Sequence, residues 1–363
     1  MKRDERLVQV GISHQETTLS ALERALAAAD GIRSAVVSAI RTREALTEAV
    51  IVATCHRLEV FAVGPDDAAA LDVLRGAFSD ASGTGTGKMP LSTRTHREAA
   101  VHLCAVAAGL KSLVVGEREI FDQVRTAWRG AVADGTAGPV LAALFRQARW
   151  AGRLARSAEA FGNTEVSLAT VGVHAARELL GSLRGQRAVV AGTGRIGRLA
   201  REHLLREGIA ALAVATRRPE RLRQRESTLA VHGLDELPAL LREADLVIAA
   251  TAAPTPILSR AQVLDELTHR AGAPLLLVDL GVPRNLDPAI ATVSGVRLLH
   301  LDDLRPVAAS LQHLDEETVA RVIRVVEEAT DRFCNWQAAR AAATNGFLHS
   351  ETCHGGSGPR GIS

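Results

Sequence analysis

A solitary cysteine, placed between strand-forming residues and two basic side chains, is the first feature of the sequence that could do chemistry. It lies in "IVATCHRLEVFAVG", residues 51–64, where Cys55 precedes His56 and Arg57. The thiolate is the nucleophilic form of cysteine, and nearby cationic groups favour it. Arg57 could instead hold a substrate carboxylate through two parallel hydrogen bonds. These residues alone leave two interpretations open, a buried thiol at the end of a strand and a nucleophile in a substrate site.

A glycine-rich turn is the second candidate site. The segment "GTGRIG" places Gly192, Gly194 and Gly197 directly after the apolar run "AVVA" and directly before a helical pattern. Such a turn lets the backbone approach a pyrophosphate at the N-terminus of a helix, which predicts nucleotide binding. The other residues of this loop are Thr193, Arg195 and Ile196.

The next strand indicates which nucleotide is preferred. The segment "ALAVATRRPER" ends its apolar run in Thr216, Arg217 and Arg218, where a site that prefers NAD usually has an acidic residue. The basic pair therefore favours NADPH, although arginines in an arginine-rich chain are also common as solvated loop charges. A thiol and a reductase-type nucleotide fold in one chain suggest acyl transfer to sulfur, followed by hydride reduction of the thioester to an aldehyde.

The composition limits the class of protein. With 363 residues and 47% hydrophobic residues, the chain is long enough for two or three domains. It has no apolar run of about 20 residues and begins without a signal peptide, so we expect an intracellular, cytoplasmic protein. The four cysteines lack metal-ligand or disulfide spacing, and the net charge of +2 gives no sign of a nucleic-acid-binding composition.

Two regions of the chain, with different predicted secondary structure, must position these residues. Up to about residue 183 the chain combines short strands such as "RLVQVGIS" with helices, which predicts an α+β unit with Ser20 as a helix cap. From residue 186 near-continuous apolar strands alternate with helices, which predicts a parallel Rossmann-type sheet and an α/β fold overall. A mobile loop is predicted at 78–90, one long amphipathic helix at 310–343 and a disordered tail at 344–363.

Seven blocks of the chain resemble, in the same order, the motifs of the glutamyl-tRNA reductase family. The similarity extends over about residues 6–340. The blocks are "VGISHQETTLSALERA", "VATCHRLEVFAVG", "AVHLCAVAAGLKSLVVGEREIFDQVRTAW", "GNTEVSLATVGVHAA", "AVVAGTGRIGRLAREHL", "ADLVIAATAAPTPIL" and "LLLVDLGVPRNLDPAI" followed by "LHLDDL".

This resemblance implies NADPH-dependent reduction of L-glutamyl-tRNA(Glu) to glutamate-1-semialdehyde, the first step of the C5 route to tetrapyrroles. It implies that Cys55 takes the glutamyl group from the tRNA as a thioester and that His102 acts in proton transfer or orientation. Charged tRNA(Glu) and glutamate-1-semialdehyde aminomutase are the implied partners. The substrate-binding residues that it implies are Thr54, Arg57, Ser112, Glu117, Gln123 and His14.

Several positions depart from the family's pattern, and they keep two alternatives open. One is a paralogous reductase of another aminoacyl-tRNA or thioester, and the other is a non-catalytic relative that binds tRNA, nucleotide or a true reductase. The altered residues are Ser13, Gln15, Glu16, His56, Lys111, Glu119 and Asp122.

The resemblance also predicts how the chain is divided. We expect a catalytic domain over 1–165, a nucleotide domain over 166–305, a spinal helix over 306–343 and the tail over 344–363. In the family the spinal helix leads into a dimerisation domain, whereas here a polar, glycine-rich segment follows it. We therefore expect a monomer, or a weak homodimer through exposed apolar positions of the helix such as Val322, Val325 and Phe333.

Overall fold

Two β-sheets organise the computed structural model. The structure describes residues 5–81, 89–117, 119–157, 166–270, 274–312 and 316–351, with the backbone alone described for 344–351. The first sheet lies in the N-terminal part of the chain and the second in the middle. We call the packed units around them the N-terminal unit and the nucleotide unit.

The first sheet is antiparallel and presents the cysteine at a tight turn. Its strands follow the order β2-β3-β1-β4, and β2 and β3 pair from Glu48 with Val63 to Thr54 with Arg57. Only Cys55 and His56 lie between the paired ends, so they form the two-residue turn of a β-hairpin. The strands are β1 (Arg6–Ser13), β2 (Glu48–Thr54), β3 (Arg57–Gly64) and β4 (Ser92–Thr95).

Helices cover both faces of this sheet and form two apolar cores. The first three helices pack on one face, and the next three pack on the other. The six helices are α1 (Leu19–Ala27), α2 (Ala29–Thr42), α3 (Asp67–Ala81), α4 (His96–Ala107), α5 (Glu119–Ala133) and α6 (Pro139–Ala155).

Two local predictions in this unit need correction. Thr18, and not Ser20, caps α1, because its side-chain oxygen accepts a hydrogen bond from the backbone N–H of Ala21. The loop predicted at 78–90 begins later, because α3 continues to Ala81. Residues 82–88 of that prediction lie outside the described residues.

The nucleotide unit contains a six-stranded parallel sheet, as the apolar runs predict. Its strand order is β10-β9-β8-β5-β6-β7, and apolar clusters bury both faces. The strands are β5 (Arg187–Ala191), β6 (Ala211–Thr216), β7 (Ala230–Gly233), β8 (Leu246–Ala249), β9 (Leu275–Asp279) and β10 (Val296–Leu299). The helices are α7 (Leu168–Leu180), α8 (Arg195–Arg206), α9 (Pro219–Arg223), α10 (Leu237–Leu240), α11 (Arg260–Leu267) and α12 (Leu301–Leu311), with short 3-10 helices at Leu234–Glu236 and Pro288–Thr292.

The order of these strands creates a crevice for a ligand. The chain enters the sheet at β5, extends outward through β6 and β7, and then returns to place β8 on the other side of β5. Ligands of such sheets bind at the carboxyl ends of the strands where the order reverses. The fold class predicted from the sequence, α/β with an α+β N-terminal part and a Rossmann-type part, is confirmed.

The last two helices differ from the predicted single helix at 310–343. Helix α12 ends at Leu311 after packing with the core of the nucleotide unit, and α13 (Glu316–Glu351) begins separately. We therefore propose a boundary of the nucleotide unit after 311 instead of 305. Helix α13 also continues through 344–351, which the sequence predicted as disordered tail, and 352–363 lie outside the described residues.

Helix α13 packs back against the N-terminal unit through α4 and α6. Val322 and Phe333 are buried in this contact and Val325 is partly buried. The prediction that these three side chains are exposed for a weak dimer is therefore wrong, because the helix uses its apolar face within the chain. Among the helices that the structure describes, none combines the length and apolarity needed to cross a membrane.

Candidate active site

One cavity of about 760 Å³ joins the two units. The N-terminal unit contributes the cysteine turn and the segment before α5, and the nucleotide unit contributes its glycine loop and the carboxyl ends of its strands. From the N-terminal unit the lining residues are Cys55, His56, Glu117 and Glu119; from the nucleotide unit they include Gly192, Thr193, Gly194, Ile196, Thr216, Arg217, Arg218, Thr251 and Val282.

Hydrogen bonds hold the cysteine turn in place. The Thr54 hydroxyl oxygen accepts from the backbone N–H of His56 at 3.1 Å, and the His14 ring packs on the His56 ring with centroids 5.0 Å apart. Burial, followed by the nearby positive charges, lowers the pKa of His14 to about 4 and that of His56 to about 3. Both rings are therefore neutral near pH 7, and Thr54 and His14 support the turn from below the cavity surface.

The surroundings of Cys55 favour its neutral thiol. Its burial, and then the negative charges of Glu117 and Glu119, raise the pKa of Cys55 to about 12, although it keeps partial exposure to the cavity. The expectation that His56 and Arg57 ionise Cys55 is therefore wrong. His56 carries no charge, and Arg57 is a weaker influence than the two carboxylates.

The two carboxylates beside Cys55 have different partners. Burial, followed by repulsion from Glu119, raises the pKa of Glu117 to about 7, and a polar contact with the Ser112 side chain opposes that rise. Burial also raises the pKa of Glu119, while Arg195 of the glycine loop, at 3.5 Å, opposes that rise. Glu117 is thus the group in the cavity that changes charge near neutral pH.

Arg57 and His102 converge on a buried carboxylate that the sequence reasoning missed. Arg57 donates to Glu59 at 3.2 Å and to the backbone oxygen of Lys111, and His102 Nε2 lies 2.9 Å from the same Glu59 oxygen. Burial alone would raise the pKa of Glu59, but the charges of Arg57 and His102 outweigh it and lower that pKa to about 2. The signal in the sequence is the period of two, which puts Arg57 and Glu59 on one face of β3.

These contacts bear on the roles predicted for His102 and Arg57. His102 lines a separate cavity of about 360 Å³ together with Arg94, Arg97 and Lys111, and it is not among the residues that line the Cys55 cavity. Arg57 uses one N–H of each guanidinium amino group in these bonds, and its Nε has no partner among the described residues, so its binding of a substrate carboxylate stays a prediction.

Several buried polar atoms around this cluster have no hydrogen-bond partner among the residues that the structure describes. Buried polar groups are paired as a rule, so this cluster is unusual in its polar contacts. Gln9, a fully buried residue absent from the sequence predictions, belongs to this group. The unpartnered atoms are Gln9 Nε2, His56 Nε2, Arg57 Nε, Glu59 Oε2 and Ser112 Oγ.

Gln123 is not among the described residues that line the Cys55 cavity. It lines another cavity of about 330 Å³ together with residues of α2 and β2, such as Arg33 and Ile51. The substrate-binding role of Gln123 stays a prediction, since this second cavity also reaches Ala53, two residues before Cys55. Ser112 is buried beside Glu117, and its substrate-binding role stays a prediction too.

Each of the three glycines of the nucleotide loop is required for a different structural reason. Gly192 has φ +117°, and an added Cβ would lie 2.2 Å from the Ala250 carbonyl oxygen. A Cβ on Gly197 would lie 2.2 Å from the Gly192 oxygen, so α8 packs tightly on the turn. A Cβ on Gly194 would meet no atom within 4 Å, which leaves the backbone accessible from the cavity. This geometry fits the pyrophosphate of a dinucleotide at the start of α8.

Basic side chains line the far end of the cavity. Thr216, Arg217 and Arg218 line the cavity, together with Arg221 and Arg225 from α9 and the segment after it; their binding of a cofactor stays a prediction. The sequence reasoning missed these last two because helical spacing through "PERLRQR" brings them to the same wall. Glu226 is the one acidic side chain that the described part of the chain places on this wall, and it pairs with Arg201 at 2.8 Å. The described residues contain no group of three or more His, Cys, Asp or Glu that could hold a metal ion.

Most of the altered motif residues have new partners. The Ser13 hydroxyl donates to Glu16 at 3.2 Å, and Glu16 also accepts from Arg94. Asp122 pairs with Arg125 at 3.0 Å, while Lys111 is exposed and contributes its backbone oxygen to Arg57. The structure gives no partner that explains Gln15.

Comparison with known proteins gives two family-model matches. Residues 10–159 match the model described as "Glutamyl-tRNAGlu reductase, N-terminal domain", and residues 174–307 match "Shikimate / quinate 5-dehydrogenase". The glutamyl-tRNA reductase of Rubrobacter xylanophilus is 33% identical over 330 residues, covering 90% of this chain and 76% of that protein. That of Chloroflexus aurantiacus is 34% identical over 315 residues, covering 81% and 71%. Among solved structures, "Glutamyl-tRNA Reductase from Methanopyrus kandleri" is 30% identical over 92% of this chain and 80% of that one, with a TM-score of 0.47.

Proposed function

The chain belongs to the glutamyl-tRNA reductase family, and from this premise we propose that it reduces the glutamyl group of glutamyl-tRNA(Glu) to glutamate-1-semialdehyde. This reaction is the first step of tetrapyrrole biosynthesis in the family. The observation that carries the proposal is the single cavity that holds both Cys55 and the nucleotide loop. A covalent acyl group on the thiol would lie in the same space as a bound nicotinamide.

The first step is acyl transfer to Cys55. The sulfur attacks the carbonyl carbon of the glutamyl ester, the bond to the terminal ribose oxygen breaks, and the tRNA leaves with a proton on that oxygen. Because the pKa of Cys55 is about 12, its proton must move during the attack. Glu117 lines the same cavity and has a pKa of about 7, so we assign to it the acceptance of this proton and its return to the leaving oxygen.

The second step is reduction of the thioester. When bound, the cofactor would supply a hydride to the thioester carbonyl carbon. The anionic hemithioacetal would then expel the Cys55 sulfur as a thiolate and release the aldehyde, and the thiolate would take a proton from water. The cysteine turn positions the carbonyl, and the apolar walls at Leu168 and Val282 exclude water that would hydrolyse the thioester.

His102 acts in this proposal as a positioning residue. It holds Glu59, which holds Arg57 beside the cysteine turn, and so acts on the reacting thiol through two other side chains. This role replaces direct proton transfer by His102. The unpartnered Nε of Arg57 and the hydroxyl of Ser112 are the groups we assign to the glutamyl moiety.

A nicotinamide cofactor is expected from the dehydrogenase-type match over 174–307, and we propose that it is NADPH. Arg217 and Arg218 follow β6, where a 2′-phosphate would lie, and Arg221 and Arg225 add positive charge on the same wall. The paired state of Glu226 supports the proposal, because Arg201 neutralises the one carboxylate of that wall.

We propose two partners besides the cofactor. Charged tRNA(Glu) is the substrate, and an aminomutase that consumes the reactive aldehyde is the partner expected downstream. The oligomeric state stays a prediction, monomer or weak homodimer, that light scattering at micromolar concentration would test.

A purified-protein assay tests the proposed function. The protein is incubated with glutamyl-tRNA(Glu) and NADPH, and the aldehyde is trapped with a hydrazine and identified by mass spectrometry. The expected result is glutamate-1-semialdehyde with wild type and none with Cys55→Ser, together with complementation of a bacterium auxotrophic for 5-aminolevulinate. Product from another aminoacyl-tRNA but not from the glutamyl one would support the paralogous reductase. Binding of tRNA or nucleotide without any product would support the regulatory relative.

A further inference from the structure

A dense set of hydrogen bonds joins the two units at one side of the active cavity. Arg284, in the loop after β9, donates from Nε to both carboxylate oxygens of Glu23 on α1, at 2.9 and 3.0 Å, and from Nη2 to one of them at 2.5 Å. Its backbone N–H donates to the same carboxylate at 2.7 Å, and Nη2 also reaches the Ser20 hydroxyl at 3.0 Å. Three groups of one residue therefore bind a single carboxylate of the other unit.

This contact differs from an ordinary surface ion pair. The Arg284 and Glu23 side chains are only 20% and 16% exposed, so water screens them weakly. Exposed ion pairs contribute about 0–1 kcal/mol, mainly because flexible side chains must be ordered for one weak contact. Here the guanidinium binds in a forked geometry and the backbone adds a further bond, which favours one relative placement of the two units.

The loop that carries Arg284 also forms part of the cavity wall. Gly281 and Val282 line the cavity, and the Asp279 carboxylate accepts from the backbone N–H groups of Gly281 at 2.9 Å and Leu286 at 2.8 Å. Asn285, fully buried, accepts from the backbone N–H of Thr251 at 2.7 Å. These bonds make the loop stiff, so a contact made at Arg284 fixes the position of the wall.

Two weaker contacts flank the same cavity. Arg305 of α12 donates to the backbone oxygen of His14, next to the cysteine turn, and Arg195 of the glycine loop pairs with Glu119 at 3.5 Å. Neither has a charged group as deeply enclosed as Glu23, since the Arg195 and Glu119 side chains are 48% and 31% exposed. Of these three polar contacts the Glu23 contact is the least exposed, and it adds direction to the apolar contact in which Val114 of the N-terminal unit is buried in the core of the nucleotide unit.

We propose that Glu23 and Arg284 are positioning residues that hold the nucleotide unit against the cysteine turn, so that they are required for reduction of the thioester but not for its formation. The inference rests on the proposed function. Hydride transfer needs its donor and acceptor carbons about 3–3.5 Å apart, and the two are held by different units. Acyl transfer to Cys55 uses groups of the N-terminal unit alone, so it does not need this contact.

The experiment separates the two chemical steps in the full chain. Glutamate label transferred from charged tRNA to Cys55 without NADPH measures acylation, and rapid mixing of the preloaded enzyme with excess NADPH measures reduction in a single turnover. The variants are Glu23→Ala, Arg284→Ala and the double variant. Glu207→Gln is the matched control, because it removes a half-exposed ion pair with Arg177 inside the nucleotide unit.

We expect reduction to slow at least tenfold in each single variant, with acylation and NADPH affinity within twofold of wild type. The double variant should be no slower than the slower single variant, because both changes remove the same contact. Glu23→Gln keeps one acceptor oxygen and should lie between wild type and Glu23→Ala. The Glu207→Gln control should match wild type in every measurement.

Three results would overturn the inference. Equal slowing of acylation and reduction would show a general role in folding, unchanged reduction would show that the contact positions nothing, and additive effects would show that the residues act separately. A wild-type protein that is never acylated would instead contradict the proposed function. In that case small-angle X-ray scattering still tests the contact between the units. Glu23→Ala should increase the radius of gyration, and Glu207→Gln should not. An unchanged radius of gyration in Glu23→Ala would overturn the inference.

Discussion

Replacement of Glu59 by glutamine should destabilise the protein strongly, although the two side chains are nearly equal in size. Glu59 is fully buried, Arg57 is 1% exposed, and His102 Nε2 lies 2.9 Å from the carboxylate. The substitution removes a negative charge between two groups that depend on it. The guanidinium of Arg57 would then be a buried charge without a counter-charge.

Two estimates of the effect agree. Loss of one partner from a buried ion pair costs about 3–5 kcal/mol, because the remaining charge stays out of water. The pKa of Glu59 of about 2, against an ordinary value of 4.5, corresponds to about 3 kcal/mol of stability. Since the pKa is lowered by folding, this stability is fully present above pH 4.5 and is lost as the pH falls toward 2.

Urea unfolding followed by circular dichroism measures the effect. At pH 7.5 we expect Glu59→Gln to lower the free energy of unfolding by about 3 kcal/mol or more. Asp134→Asn is the control, because it removes an exposed ion pair with Arg33 and should cost about 1 kcal/mol or less. The difference between wild type and Glu59→Gln should shrink as the pH falls from 4.5 toward 2.

A second substitution tests the cause. Glu59→Gln combined with Arg57→Met removes both charges of the pair, so part of the lost stability should return. A cost below about 1 kcal/mol for Glu59→Gln, or a further loss in the double variant, would refute the claim that an ionised Glu59 balances Arg57.

Three further changes test the electrostatics of the cavity. Glu119→Gln should lower the pKa of Cys55 and speed its alkylation by iodoacetamide at pH 8 by about threefold to tenfold, with Cys55→Ser as the blank; an unchanged rate would show that Glu119 does not act on the thiol. Acylation of wild type should rise with pH through about 7 as Glu117 loses its proton, and Glu117→Gln should lack that rise; a persistent rise would assign the proton to another group. Calorimetric titration of Arg217→Ala should show the preference for NADPH over NADH reduced by about tenfold or more, whereas an unchanged preference would mean that another residue reads the 2′-phosphate.

Local patterns were sufficient to predict the nucleotide unit. The run "AVVA" before Gly192 and the helix after Gly197 specify strand, turn and helix through contacts between near neighbours in sequence. Parallel strands that are buried on both faces also consist of continuous apolar runs. Such a run is recognised in the sequence without knowing which strands pair with it. The resemblance to a family then predicted the role of Cys55 and the order of the units.

The electrostatics of the site could not be predicted in the same way. The sequence neighbours of Cys55 are basic, but the charges that dominate its pKa are carboxylates that come from the segment around the start of α5. Likewise, His102 reaches Glu59 across 43 residues of sequence, so only the packing of α4 on the first sheet brings them together. The end of α12 at Leu311 was missed because apolar residues recur at helical spacing both before and after it in the sequence.

In the proposed reaction Cys55 carries the glutamyl group as a thioester. The direct measurement is intact-protein mass spectrometry after incubation with glutamyl-tRNA(Glu) in the absence of NADPH, followed by peptide mapping under acidic conditions that preserve thioesters. We predict a mass increase of one glutamyl group on the peptide that contains Cys55, its loss when NADPH is added, and no increase in Cys55→Ser. Equal labelling of wild type and Cys55→Ser, or a modified peptide that does not contain Cys55, would contradict the account.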